Sequence, residues 1–276
     1  MNAHSAPAAK DPASYLILLR DDIAGVAVLT LNRPHALNSL SEAMLEALGD
    51  ALTAIAHDAT VRAVVLAANG PAYSAGHDLK ELYSHRTDAD GGRAYFKHIM
   101  ATCSTMMQQI VKLPQPVIAA VQATATAAGC QLVATCDLAV SSRSAKFATS
   151  GINVGLFCST PMVALSRNVA HKHAMEMLLT GDMISAEHAA RIGLVNHVVA
   201  PGSERDEALK LAKKITEKSA RAIKLGKEAF YRQTEMSLAA AYDYTADVLV
   251  ENLLARDADE GIGAFIEKRE PKWEDR

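Results

Sequence analysis

The sequence predicts a mixed α/β fold followed by a helical subdomain, and three observations carry that expectation. Apolar runs of strand length alternate with segments whose apolar residues recur every three or four positions, as in Ile23–Leu31, Ser39–His57 and Arg62–Ala67. The order strand, small-residue turn, helix, strand returns between Val117 and Ser141. Beyond Pro161 the pattern is helical almost throughout.

The elements follow in order. Tyr15–Arg20 and Ile23–Leu31 read as two strands joined by a tight turn at Asp21 and Asp22. Ser39-x-x-Glu42 has the form of a capping box, and Met44, Leu45, Leu48, Leu52 and Ile55 follow on one helical face to about His57. Arg62–Ala67 is a wholly apolar strand ended by Asn69-Gly70-Pro71. A polar, glycine-broken stretch over Asp88–Gly92 reads as mobile and precedes a helix from Arg93 to Lys112. Pro114 and Pro116 bracket the approach to the strand Val117–Val121, which runs through Thr124-Ala-Thr-Ala-Ala-Gly129 into a helix reaching Cys136, then the strand Leu138–Ser141. Helices are expected near Met162–Val169, His171–Thr180 and Ala186–Ile192, a strand at Val195–Val199, a helix capped by Ser203, and three further helical stretches to Arg269. This divides the chain into a tail over 1–14, an α/β core over 15–202 and a helical subdomain over 203–276.

Composition narrows the function classes. The 276 residues are 50% hydrophobic and 21% charged, with a formal net charge of −3, and no basic run stands out, so nucleic acid is not an expected partner. No apolar run approaches the roughly 18–20 residues of a spanning helix, so membrane insertion is not expected. Cys103, Cys130, Cys136 and Cys158 form no CxxC pair or zinc-type cluster and read as small buried thiols; no metal is expected. The small, polar N-terminal stretch has neither an apolar leader core nor an arginine-rich bias, which suggests a cytoplasmic protein. No GxGxxG follows the first strand, which argues against a dinucleotide.

Two segments place small residues at the exit of an apolar strand: Ser74-Ala-Gly-His-Asp78, and Thr126-Ala-Ala-Gly129 opening a helix. Missing side chains let a ligand approach backbone N–H groups, and a helix start adds positive potential. Tight turns packed against neighbours would look the same at this level.

The first segment, extended to Tyr73–Glu81, and the second, extended to Ala120–Ala139, resemble the two signature regions of the crotonase, or enoyl-CoA hydratase/isomerase, superfamily. Leu31-Asn-Arg-Pro-His-Ala-Leu-Asn38 and Glu260–Arg269 resemble further family segments, so the likeness spans about 15–271. It is strongest to the enoyl-CoA hydratase domain-containing proteins, which share the Ala-Ala-Gly-Cys-Gln and Val-Gly-Leu-Phe-Cys-Ser-Thr-Pro segments. The resemblance implies a spiral of ββα units with a C-terminal helical trimerisation subdomain, a homotrimer or hexamer, and an acyl-CoA or enoyl-CoA thioester as ligand, with coenzyme A arriving as part of the substrate and no separate cofactor. It makes the N–H groups of His77 and Ala128 an oxyanion hole for a thioester enolate. It assigns Arg33, His35, Ala36 and Leu37, with Ala75, Asp78, Leu79 and Lys80 of the first loop and Phe265 and Lys268 of the last helix, to coenzyme A.

The departures bear on the chemistry. Gln131 and Gly151 occupy the positions of the two glutamates that handle water and protons in the hydratases, and neither is a useful proton carrier. Lyase or isomerase chemistry of the usual kind is therefore in doubt. Ser150, Cys158 and Ser159 lie in the stretch that reaches the acyl pocket in relatives; Cys158 is a nucleophile or an apolar filler, and Asp78 orders its own loop or acts on substrate. His77, His85 and His98 are further residues that could approach the site. The methylmalonyl-CoA decarboxylases share Ser-Ala-Gly-His-Asp and lack both glutamates but carry tyrosine where this chain has Cys158, so base-free decarboxylation stands as an alternative. A non-catalytic acyl-CoA-binding scaffold is the other.

Overall fold

The computed structural model describes residues 16–276; the expected tail over 1–14 and the strand start at Tyr15 lie outside them. β1 (Leu18–Ile23) and β2 (Val26–Leu31) form the opening hairpin. Its turn is Ala24-Gly25, with φ of 48° and 81°, and not Asp21-Asp22. A two-residue hairpin loop that follows the strand twist needs left-handed backbone at both positions, which glycine adopts without strain. The two aspartates instead pair with Val28 and Ala27 from an exposed edge strand, where charge is tolerated and opposes strand addition. In α1 (Glu42–Ala56) the cap is Ser41, whose hydroxyl accepts the Met44 N–H at 3.3 Å. The expected cap, Ser39, donates its hydroxyl to the Asp78 carboxylate at 3.1 Å.

Three ββα units follow. β3 (Ala63–Ala68) leads to β4 (Ala72–Ser74), the short α2 (Leu79–Ser84) and α3 (Arg93–Lys112). The Asp88–Gly92 stretch before α3 is held by Asp90, whose carboxylate accepts the N–H groups of Gly92 and Ala94. β5 (Val117–Val121) leads to β6 (Thr124–Thr126) and α4 (Ala128–Thr135). β7 (Leu138–Ser142) leads to β8 (Lys146–Ala148), a 3-10 turn over Ser150–Val154, α5 (Pro161–Asn168) and α6 (His171–Thr180). β9 (Ile184–Ser185), α7 (Ala186–Arg191) and β10 (His197–Val199) complete the strands. The first strand of each unit enters a six-stranded sheet of order β1-β2-β3-β5-β7-β10, parallel except for β1; the second enters a four-stranded sheet of order β4-β6-β8-β9. The strands of the smaller sheet are too short to show a period of two in the sequence, and those at 72–74 and 146–148 are recognised only in the structure.

The six-stranded sheet is buried on both faces, which is why its strands read as continuous apolar runs. Ala27, Leu29 and Leu31 of β2 face the main core with Leu45, Leu48, Met106 and Tyr73. Val26 and Val28 face the other way and meet Ala208 and Ala212 of α8 (Glu204–Thr216). α8 thus covers the outer face of the sheet. Ser203 stands at its N-cap position without a capping bond; the Glu204 carboxylate accepts the Gly202 N–H at 3.0 Å instead.

α9 (Ala220–Gln233) is fastened to the core by Lys227, whose ammonium donates to Asp137 (2.6 Å) and to the carbonyls of Ile110 and Gln115 (both 3.0 Å), while the Tyr231 hydroxyl donates to Asp137 at 2.8 Å. α10 (Leu238–Leu253) buries no residue, and α11 (Arg256–Glu267) buries only Asp257 and Ala264. Leu238, Tyr242, Leu254, Phe265 and Ile266 all stand exposed on this pair. Among the described residues no helix is long and apolar enough to cross a membrane.

Candidate active site

The site forms where the exits of β4 and β6 touch. After β4, the Ser74 hydroxyl accepts the Gly76 N–H (3.3 Å), the Ala75 N–H donates to Leu37 O (3.0 Å), and Gly76 O accepts from Leu40 (2.8 Å). The Asp78 N–H returns to Leu40 O, so the backbone is tied on both sides of His77. After β6, Ala127 takes φ 49° and ψ −120°, a conformation that costs an alanine strain, and is held by its N–H on Ala148 O at 2.9 Å. That twist turns the Ala128 N–H, the first of α4, out of the strand. Neither the His77 N–H nor the Ala128 N–H donates to an acceptor among the described residues.

Close approach is built into both loops. A Cβ on Gly76, where φ is 88°, would stand 2.9 Å from Ala127 Cβ and 3.0 Å from Ala128 N. One on Gly129 would stand 2.2 Å from Ser74 O. The small residues therefore serve backbone contact between the two strand exits, and Ala128 N lies at that contact, beside Gly76, the residue before His77.

Around the first loop Arg33 donates to Asp78 (3.2 Å) and to Ser39 O (3.1 Å), and Asp78 caps α2 by accepting from Lys80 and Glu81. Burial opposes ionisation of Asp78, but the Glu81 N–H, Arg33 and Ser39 outweigh it and hold the carboxyl below the usual carboxylate range. Of the two roles open to Asp78, loop ordering is the one its bonds describe. Arg33, Leu37, Ala75, Asp78, Leu79 and Lys80 are thus gathered at one place, with His35 and Ala36 in the 3-10 turn Pro34–Ala36 beside them. Leu37 and Leu79 are exposed there.

Phe265 and Lys268 lie elsewhere in the single chain. α11 is anchored through Asp257, which accepts the N–H groups of Glu274 and Asp275, and Asp275 in turn pairs with Arg62 at the start of β3. Arg33 follows the end of the parallel neighbour β2, at the opposite end of the strands. Phe265 is 84% exposed, and no hydrogen bond or ion pair among the described residues joins it or Lys268 to the Arg33 group.

At the two departures, Gln131 is buried one turn into α4 and Gly151 lies in the 3-10 turn after β8. The Gly151 N–H donates to Cys158 Sγ at 3.3 Å, and a Cβ at 151 would meet that sulfur at 2.9 Å and Leu156 O at 2.7 Å. Cys158 fills the space a side chain there would need. Burial pushes its thiol up, against the pull of the Gly151 N–H, so the filler role is the one the packing supports. All four cysteines are buried and unbridged. Ser150 is half-buried, and the exposed Ser159 donates to Phe157 O within its own turn. Both ring nitrogens of His77 are buried without a hydrogen bond of good geometry, and burial, against a lesser pull from the Leu40 backbone, lowers its pKa. His85 stacks on Tyr95 and pairs with Asp88, and His98 pairs with Glu42, so both rings are engaged with other side chains. Thr149, next in sequence to Ala148, is fully buried with an unpartnered hydroxyl, and nothing in the sequence signals it.

The sequence matches the enoyl-CoA hydratase/isomerase family over residues 21–276. The chain belongs to that family. It is 46% identical over 249 residues to the enoyl-CoA hydratase domain-containing protein 3, mitochondrial, of Rattus norvegicus, covering 90% of this chain and 81% of that one. The human protein of the same name is 45% identical, with 90% and 80% covered. Among solved structures, an enoyl-CoA hydratase from Mycobacterium smegmatis superposes with a TM-score of 0.89 at 54% identity, covering 94% of this chain and 99% of that one. Human enoyl coenzyme A hydratase domain-containing protein 3 gives 0.88 at 43%, covering 94% and 100%. The fold is the crotonase fold, as the resemblance implied.

One expectation is overturned. A cytoplasmic location was inferred from the lack of a recognisable leader, but the vertebrate relatives at 43–46% identity are named as mitochondrial proteins. The composition of a short terminal stretch is a weak guide to compartment, and the cytoplasmic assignment is withdrawn.

Proposed function

We propose that this family member binds an acyl-CoA thioester and stabilises its enolate between the N–H groups of His77 and Ala128. The observation that supports the reading is that these two unpartnered donors stand on two loops in backbone contact at Gly76 and Ala128. Charge that develops on a thioester oxygen is held by donors that need no reorganisation, and one such donor is typically worth about 10²–10³ in rate. Arg33, His35, Ala36, Leu37, Ala75, Asp78, Leu79 and Lys80 would receive the coenzyme. The apolar faces of α10 and α11 would be covered by self-association as a homotrimer or a pair of trimers, through which Phe265 and Lys268 could reach a neighbouring site. Gln131 and Gly151 supply no carboxylate, so hydration by a pair of glutamates is not part of the proposal. The same absence favours a second reading, loss of carbon dioxide from a malonyl-type thioester, which generates the enolate without a base.

The test is a panel of crotonyl-CoA, a longer enoyl-CoA and methylmalonyl-CoA followed by mass spectrometry, on the wild type and on Ala128→Pro. Proline removes the N–H, and because Ala127 before it holds φ 49° and ψ −120°, away from the extended backbone that precedes a proline, folding of the variant is checked by thermal melting. Turnover should fall about 10²-fold or more in a folded variant; turnover that survives counts against the donor pair, and binding without any product points to a scaffold.

A further inference from the structure

A small cavity of about 70 Å³ opens between α6 and α7 and shares no lining residue with the site described above. His173 and Glu176, one turn apart on α6, line it together with His188 of α7, Asp182 of the connection between the helices and the buried Met177. No lysine or arginine among the described residues lines it. The Thr180 hydroxyl donates to Glu176 O (2.8 Å) and accepts the Asp182 N–H (3.2 Å), and the Ser185 hydroxyl accepts the His188 N–H (3.2 Å), so the hydrogen bonds of this corner run through backbone and hydroxyls. The two imidazoles and two carboxylates themselves enter no hydrogen bond or ion pair among the described residues. The two rings face one another edge to face, with their centres 6.0 Å apart.

We propose that this cleft binds one late first-row divalent metal ion, with zinc as the representative, held by His173 and His188 and completed by Glu176 and Asp182. Imidazole favours zinc, copper and nickel over magnesium and calcium, which take oxygen ligands. Zinc binds an imidazole nitrogen at about 2.0–2.1 Å, so two rings sharing one ion have their centres roughly 5–6 Å apart. The observed spacing lies at the wide end of that range. The edge-to-face pose is not the bound one, because no three His, Cys, Asp or Glu side chains among the described residues already stand as a metal-holding group. His173, Glu176 and Asp182 are exposed and His188 is half-buried, and the terminal torsions of these residue types are broad, so side-chain rotation is the adjustment that binding requires. The two carboxylates offset the charge of the ion, which ties α6 to α7. The expectation of no metal rested on cysteine spacing and on clusters visible along the chain; these ligands come from separate elements that only the fold brings together. The site is independent of the acyl-CoA reading.

The test is calorimetric titration of zinc chloride into chelator-treated protein without an affinity tag, as wild type, His173→Ala, His188→Ala and His171→Ala, each checked for folding by thermal melting. The wild type should bind a single equivalent, and His173→Ala and His188→Ala should each weaken binding about tenfold or more. His171→Ala, exposed at the start of α6 and outside the cavity, should bind as the wild type does. Magnesium chloride should give no saturable heat at the same concentrations. No saturable zinc binding, binding at full strength in both cavity variants, or an equal loss in His171→Ala overturns the site and leaves an adventitious surface ion only. Magnesium bound as tightly as zinc overturns ligation by the two imidazoles.

Discussion

Gly76 lies so close to Ala128 that a Cβ on the glycine would come within 3.0 Å of the alanine nitrogen. The contact sets the spacing of the two loops, and with it the distance between the free N–H groups of His77 and Ala128. Glycine at 76 and at 129 is the condition for that spacing.

Gly129→Ala should therefore act against ordinary helix propensity. Replacing a helical glycine by alanine normally stabilises, by up to about 1 kcal/mol in a helix interior and less in the first turn, where Gly129 stands. At 129 the new Cβ would meet Ser74 O at 2.2 Å, which backbone cannot avoid by a rotamer change. Thermal melting should show destabilisation of about 1–3 kcal/mol. Gly226, inside α9 with nothing within 4 Å of an added Cβ, is the control and should gain stability on the same substitution.

Gly151→Glu should fail to create a proton carrier. The space is taken by Cys158 Sγ and Leu156 O, at 2.9 and 2.7 Å from the new Cβ. Loss of enoyl absorbance from crotonyl-CoA should be no faster than in the wild type, and the melting temperature should drop. A gain of hydration at unchanged stability would show that the turn over 150–154 yields more easily than its packing indicates.

Asp78 should leave a signature in the pH dependence of stability. Its folded pKa lies below the unfolded value of about 3.9. The stabilisation is thus fully present above that value and is lost as pH falls through the folded pKa. Denaturant melts of the wild type and Asp78→Asn should differ by a constant amount above about pH 5 and converge below pH 4. A difference that persists undiminished into acid would remove the ion pair with Arg33 from the account of this loop.

Much of this architecture is legible in the residues. The runs Val117–Val121, Arg93–Lys112 and His171–Thr180 match their elements end to end, because their apolar spacing is set by the layers they join. The small residues around Gly76 and Gly129 mark the site, and Gln131 and Gly151 mark its unusual chemistry. What escaped depends on partners distant in sequence. Asp21-Asp22 has turn chemistry, yet the stronger demand for left-handed backbone at Gly25 fixes the turn. Ser39 fits a capping box until Asp78, 39 positions away, claims its hydroxyl. Strands of three residues such as Ala72–Ser74 carry no period, and only burial shows that the Thr149 hydroxyl lacks a partner.

The central claim is that one thioester oxygen is gripped by both loops, and a crystal structure of the protein with a bound non-hydrolysable acyl-CoA analogue tests it most directly. The account predicts the carbonyl oxygen about 2.7–3.1 Å from both the His77 and Ala128 nitrogens. An analogue seated with its carbonyl away from either nitrogen would contradict it.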